Sequence, residues 1–173
     1  MNNPEPIARH ESLVPFSRDH HFGLLLVWKI RQGISNKVIP LRISNYVLYF
    51  YEQDLQAHFL DEERHIFSLL DAKDPLRVQA EQEHENIRKL IRDIADDKNN
   101  AELLQRFAEN LKNHIRFEER SLFNHIQTSV ALSQQTLEFE EDRIGRTETE
   151  LAWHDAFWEK EKNEVEAGEI MGN

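Results

Sequence analysis

The chain has 173 residues, 39% hydrophobic and 31% charged, with a formal net charge of −11. That length supports one domain with a sizeable core rather than two large ones. The acidic balance leaves no surplus of Lys and Arg to replace the counterions of nucleic acid or of an anionic membrane surface, so neither is expected as a partner. The absence of cysteine excludes disulfides, thiolate zinc sites and iron–sulfur ligation by the chain itself, and any metal must be held by nitrogen and oxygen.

With only 5 Gly and 5 Pro, and no proline after Pro75, the composition predicts an all-α chain. No apolar run reaches transmembrane length, and the N-terminus, Met1-Asn-Asn-Pro4-Glu-Pro6, lacks the basic and apolar regions of a signal peptide, which predicts a cytoplasmic protein.

Residues 1–16 contain Pro4, Pro6 and Pro15 and no helical stripe, predicting an extended N-terminal arm laid against the rest. A first helix should begin near Ser17, a good N-cap, and stop at Gly33. Asn36 and Pro40 then lead to a second helix over about 41–72. Asp74-Pro75 supplies an N-cap followed by proline at the first helical position, opening a third helix that runs to the polar turn Asp96-Asp97-Lys98-Asn99-Asn100. The fourth runs from about Ala101 to Gln127, so 17–127 reads as a four-helix bundle. Residues 128–173 read as an acidic helical extension, broken at Arg143-Ile-Gly145-Arg146. Its apolar stretch around Trp153, Phe157 and Trp158 is suited to docking on the bundle, on a protein partner or on a second copy.

Two segments match across an offset of 56 residues (114 − 58): His58-Phe-Leu-Asp-Glu62-Glu63-Arg64-His65-Ile-Phe67 and His114-Ile-Arg-Phe-Glu118-Glu119-Arg120-Ser121-Leu-Phe123. In each, a His and a Glu stand four residues apart, about 400° of helical rotation and roughly 6 Å of rise, so both project from one face as a metal-ligand pair would. The stripes place them inward. Leu48, Tyr51, Leu55, His58 and Glu62 align on helix two; Ala80, His84, Ile87, Ile91 and Ile94 on helix three; Leu104, Phe107, Leu111, His114 and Glu118 on helix four. Helix one is blurred by Leu24, Leu25, Leu26 and Val27, leaving His20, which shares a face with Gly23, Val27 and Ile30, favoured over His21.

Each of these residues alone has a plain structural explanation, and Glu63, Arg64, Glu119 and Arg120 are expected to be solvated, ion-paired helix faces. Together, four imidazoles and two carboxylates buried without compensation would cost several kcal/mol per charged group. A domain's net stability is typically about 5–15 kcal/mol. A pair of metal ions resolves the conflict. The mixed nitrogen and oxygen set suits iron or manganese ahead of zinc. Helical bundles host such two-metal sites, although their ferritin-like form uses Glu-x-x-His, whereas this chain has His-x-x-x-Glu.

The set Asp19-His20, His58-x-x-x-Glu62, Glu83-His84 and His114-x-x-x-Glu118, in order on four successive helices, resembles the hemerythrin-like, or HHE cation-binding, family over about residues 17–127. The resemblance implies an up-down-up-down four-helix bundle around two non-heme iron ions joined by an oxo or hydroxo bridge. Carried over, it implies that His20 and His58 bind one iron, His84 and His114 the other, and Glu62 and Glu118 bridge them. Oxygen-carrying hemerythrins have a further histidine four residues after the counterpart of His84; here that position is Arg88. Its loss opens the His84/His114 iron to water, an anion or another side chain, with Glu81, one turn before His84, as a candidate replacement.

No organic-substrate motif, phosphate loop or nucleophile constellation stands out, and no catalytic residue is assigned. The leading expectation is a protein that binds O2 or a related small ligand for sensing, storage or iron and oxidative-stress handling, and that is not primarily an enzyme. The alternatives are a di-iron enzyme consuming peroxide or nitric oxide, and an interaction module stapled by metal. His65 and His125 lie about 10 Å along the helix from a ligand candidate, too far to join the same metal pair. His10 and His154 receive no role.

Overall fold

A computed structural model describes residues 8–130, 132 and 153–160. Among them every regular element is helical, and the helices form four rods. The first is α1 (Val14–Ser35), led in by a short 3-10 turn, Glu11–Leu13. The second is composite: α2 (Pro40–Phe50), a π-helical turn Tyr51–Leu55, α3 (Gln56–Asp61), a second π-helical turn Glu62–Ile66 and a closing 3-10 turn Phe67–Leu69. The third is α4 (Pro75–Asp96). The fourth is α5 (Ala101–Phe117), a π-helical turn Glu118–Leu122 and α6 (Phe123–Ser129).

Local chemistry sets most of the ends. Asp74 accepts hydrogen bonds from the Leu76 and Arg77 amides, and Pro75 fills the first position of α4, where no amide partner is needed. Asn100 caps α5 in the same way through the amides of Glu102 and Leu103. Helix α1 begins at Val14, ahead of the expected start at Ser17, because Pro15 sits in its first turn instead of ending an extended arm. The arm expected over 1–16 is therefore already helical from Glu11, and His10 caps that turn by accepting from the Ser12 amide. At the other end α1 passes Gly33 and closes at Asn36, with Lys37 in the left-handed region (φ 58°) and its amide donating to the Ile34 carbonyl.

The helix expected over 41–72 is broken by π-helical turns, and this shifts its stripe. Ile43, Tyr46, Val47 and Phe50 face the core before the first such turn, and Leu55, His58 and Glu62 after it. Leu48 and Tyr51 are only partly buried, because the extra residue in Tyr51–Leu55 rotates everything upstream by about one residue's worth of helix, near 100°. The stripes expected on α4 and α5 are buried throughout.

Packing links α1 and α4 to α5, and α2 to α1, α4 and α5. The apolar residues fall into two clusters. One holds Leu26, Ile30, Tyr46, Phe59, Ile87, Phe107 and Leu111; the other holds Leu13, Phe16, Ile66, Phe67, Ala80, Phe123 and Ile126. Along all four rods a layer of His and Glu lies in sequence between them.

The extension departs from expectation. Of its described residues, 128–129 finish α6, Val130 and Leu132 pack on the second cluster, and 153–160 hold no helix and dock on the first. Phe157 is buried edge-on against Tyr46, and Asp155 pairs with Arg42 at 2.6 Å. The break expected at 143–146 and the acidic run before it lie outside the described residues. Gly33 permits this docking, since a Cβ there would stand 2.8 Å from the Phe157 ring and 2.9 Å from Ile43. Phe157→Ala should therefore cost about 3–5 kcal/mol in urea unfolding, and a loss below about 1 kcal/mol would show that the segment does not seal the core.

Candidate metal centre

The His and Glu of the two matching segments come together at the middle of the bundle. Glu62 and Glu118 are fully shielded from solvent, and His20, His58, His84 and His114 are each no more than 3% exposed. Their donor atoms form two overlapping groups, His20, His58, Glu62 and Glu118 on one side and His84, His114, Glu62 and Glu118 on the other; within each group all lie within 4.8 Å of one another. Helix α1 supplies His20, α3 and the turn after it His58 and Glu62, α4 His84, and α5 with its following turn His114 and Glu118. His21, the other candidate on α1, is exposed.

The atoms are arranged to share. Glu62 turns Oε1 to the Nε2 atoms of His58 (3.0 Å) and His20 (3.3 Å), and Oε2 to that of His84 (3.3 Å). Glu118 turns Oε2 to His20 Nε2 (3.0 Å) and Oε1 to His114 Nε2 (3.3 Å). Each carboxylate thus offers one oxygen to either half of the cluster. Every imidazole aims Nε2 inward and commits Nδ1 to a second carboxylate outside: His20 to Glu119 (2.7 Å), His58 to Asp19 (3.2 Å), His84 to Glu63 (2.8 Å) and His114 to Glu83 (2.8 Å). Metal-ligating histidines are commonly oriented this way.

Glu63 and Glu119 were expected to be solvated, and here the structure corrects the helical geometry. Both sit in π-helical turns, where the widened backbone brings consecutive glutamates toward the bundle instead of rotating the second away. Burial would raise the Glu63 and Glu119 pKa values, but the hydrogen bonds from His84 and His20, with the charges of Arg88 and Arg9, hold both down at about 2. Glu81, the candidate replacement for the histidine absent at Arg88, is exposed and accepts from Arg77 Nε at 2.8 Å, outside the two groups. His125 pairs with Asp74 (2.8 Å), and neither it nor His65 belongs to the cluster.

A family model described as hemerythrin HHE cation binding domain matches residues 20–126. The chain belongs to this family. Comparison with curated proteins and with solved structures gave no significant match.

The donor set of this hemerythrin-like chain suits cation binding. Glu62 Oε2, both Glu118 carboxylate oxygens and the Nε2 atoms of His84 and His114 are buried and make no hydrogen bond. These atoms lie within the two overlapping groups, and a cation placed among them would offset their desolvation cost. Protons compete for the same atoms. Burial alone would lower the His58 pKa, but the charge of Glu62 and the bond to Asp19 raise it to about 9. A raised folded-state pKa gives stability that is complete below the ordinary value of 6.5 and lost as pH climbs through 9. Chelator-treated protein should therefore show a Tm that falls between pH 6.5 and 9; a flat profile over that range would show that His58 is not held protonated by these carboxylates.

Proposed function

We propose that the chain is a non-heme di-iron protein of hemerythrin type that binds O2 or a related small ligand. The observation carrying this reading is the pair of buried carboxylates, each turning one oxygen to the His20/His58 half and the other to the His84/His114 half. In this reading His20 and His58 hold one iron, His84 and His114 the other, and Glu62 and Glu118 span both. Iron is favoured over zinc, whose structural sites usually recruit thiolate, and over manganese, because imidazole supplies four of the six donor side chains. When bound, such a pair supplies reversible electron exchange with a small oxidant. The chain orients the imidazoles through Glu119, Asp19, Glu63 and Glu83 and keeps bulk water out.

The surroundings favour a small ligand. A cavity of about 10 Å³ abuts the cluster, lined by Asp19, His20, Gly23, Asp54, His58 and Ile115 among others. That is close to the lower limit for a single water molecule and has no room for an organic substrate. A Cβ on Gly23 would stand 2.8 Å from Ile115 Cδ1, so glycine keeps this wall of α1 thin. We assign 17–127 to an up-down-up-down bundle carrying the site, 1–16 to an N-terminal arm and 128–173 to an acidic C-terminal extension. The protein is assigned to the cytoplasm on its composition. Among the described residues no helix is long and apolar enough to cross a membrane.

Purified protein should contain two irons per chain, and its spectrum should change on exposing the reduced form to O2 and revert on removal. Sustained consumption of peroxide or nitric oxide would assign an enzyme instead. Glu62→Ala or Glu118→Ala should leave fewer than two irons, and Glu63→Ala or Glu119→Ala should weaken binding about 10- to 100-fold. Glu81→Ala should have no effect; a loss equal to that of Glu62→Ala would contradict the assignment.

A further inference from the structure

Arg88 occupies the position where oxygen carriers have a further histidine, and its guanidinium turns away from the carboxylate cluster. It donates from Nη1 to Glu63 Oε1 at 2.8 Å, the same oxygen that accepts from His84 Nδ1 at 2.8 Å. It also lies over the Phe59 ring, 5.8 Å from its centroid, and Phe59 in turn stacks on the His84 imidazole at 3.9 Å and 17°. Arginine, phenylalanine, histidine and glutamate thus close a box around one imidazole.

The same box recurs on the other side of the cluster with an arginine from elsewhere in the chain. Arg9 donates from Nη2 to Glu119 Oε2 and to the Glu119 carbonyl, both at 2.8 Å, while Glu119 Oε1 meets His20 Nδ1. Arg9 lies over the Phe123 ring at 5.2 Å, and Phe123 stacks on the His20 imidazole at 5.5 Å and 14°. The residue four after His20, counterpart of Arg88 on α1, is Leu24, which is 41% exposed. So α4 supplies its own arginine, whereas α1 receives one from the segment preceding it. Arg9 is fixed there by Asn124 and Gln127, and Gln127 also holds the Ala8 carbonyl and the His10 amide. The Glu83 behind His114 is backed differently, by the neutral Gln79.

We propose that Arg9 and Arg88 are positioning residues that tune the two halves of the centre separately, one histidine in each. An arginine on the outer carboxylate helps keep it ionised, so that it remains a charged acceptor for the Nδ1–H of His20 or His84 and supports that imidazole as a ligand. The guanidinium also fixes the carboxylate, and through it the ring plane, before metal arrives. The arm ahead of α1 is in this way part of the metal centre. This inference rests on the di-iron reading.

The test is anaerobic titration of the metal-free full chain with ⁵⁷Fe(II), followed by Mössbauer spectroscopy. Wild-type protein should take up two irons. Arg9→Gln and Arg88→Gln should each weaken one site by about 10-fold or more and alter one quadrupole doublet, a different one in each variant, with both altered in the double variant. Arg9→Lys and Arg88→Lys, which keep the charge without the fork, should restore part of the affinity. Wild-type binding and doublets in both Gln variants, or the same doublet altered by each, would overturn the proposal while leaving the di-iron reading intact. No iron uptake by the wild-type chain would overturn both.

Discussion

A carboxylate withdrawn from water must find positive charge, and Glu62 and Glu118 have been withdrawn completely. The idealised cost of moving such an ion into a low-dielectric interior is of order 20 kcal/mol, and several kcal/mol remain after relaxation. Two of them side by side, with several oxygens making no hydrogen bond, exceed what the flanking apolar layers could easily absorb. The rest of the architecture answers this demand. Four histidines converge on the pair, four further carboxylates hold the outer nitrogens of those histidines, and two arginines hold two of those carboxylates in turn. Charge alternates from the centre outward, ending at the half-buried edge of the bundle.

Metal-free and metal-loaded states meet the demand differently. Without a cation the imidazoles supply the positive charge by holding protons: His20 and His84 are raised along with His58, against the opposing pull of burial, by hydrogen bonds and charge from Glu62, Glu118 and the outer glutamates. A cation held by the same nitrogens would displace those protons, so metal uptake is expected to release protons while the outer carboxylates keep their hold on Nδ1.

Much of the centre was legible because it obeys ordinary helical spacing. His58 with Glu62 and His114 with Glu118 are four apart, and Ala80, His84, Ile87 and Ile91 mark the inner face of α4 without ambiguity. The misreadings trace to one cause. Glu63 and Glu119 reach the outer nitrogens of His84 and His20, and Leu48 and Tyr51 fall out of the core stripe, where π-helical turns add a residue that no hydropathy pattern announces. The repetition of Glu-Glu-Arg in both matching segments was the available signal that the second glutamate had a shared task. Long-range pairing was not legible: Arg9 reaches Glu119 across 110 residues, and Phe157 settles against Gly33 and Tyr46 although its segment is not helical. The family match covers 20–126, and Arg9 lies outside it.

The most direct test of the central claim is a crystal structure of the iron-loaded protein with anomalous data collected at the iron edge. Two anomalous peaks about 3.5–4 Å apart, one beside the Nε2 atoms of His20 and His58 and the other beside those of His84 and His114, with Glu62 and Glu118 reaching both, are predicted. A single central peak, ligation through Nδ1, or iron bound elsewhere on the acidic surface with the six buried side chains unchanged would contradict it.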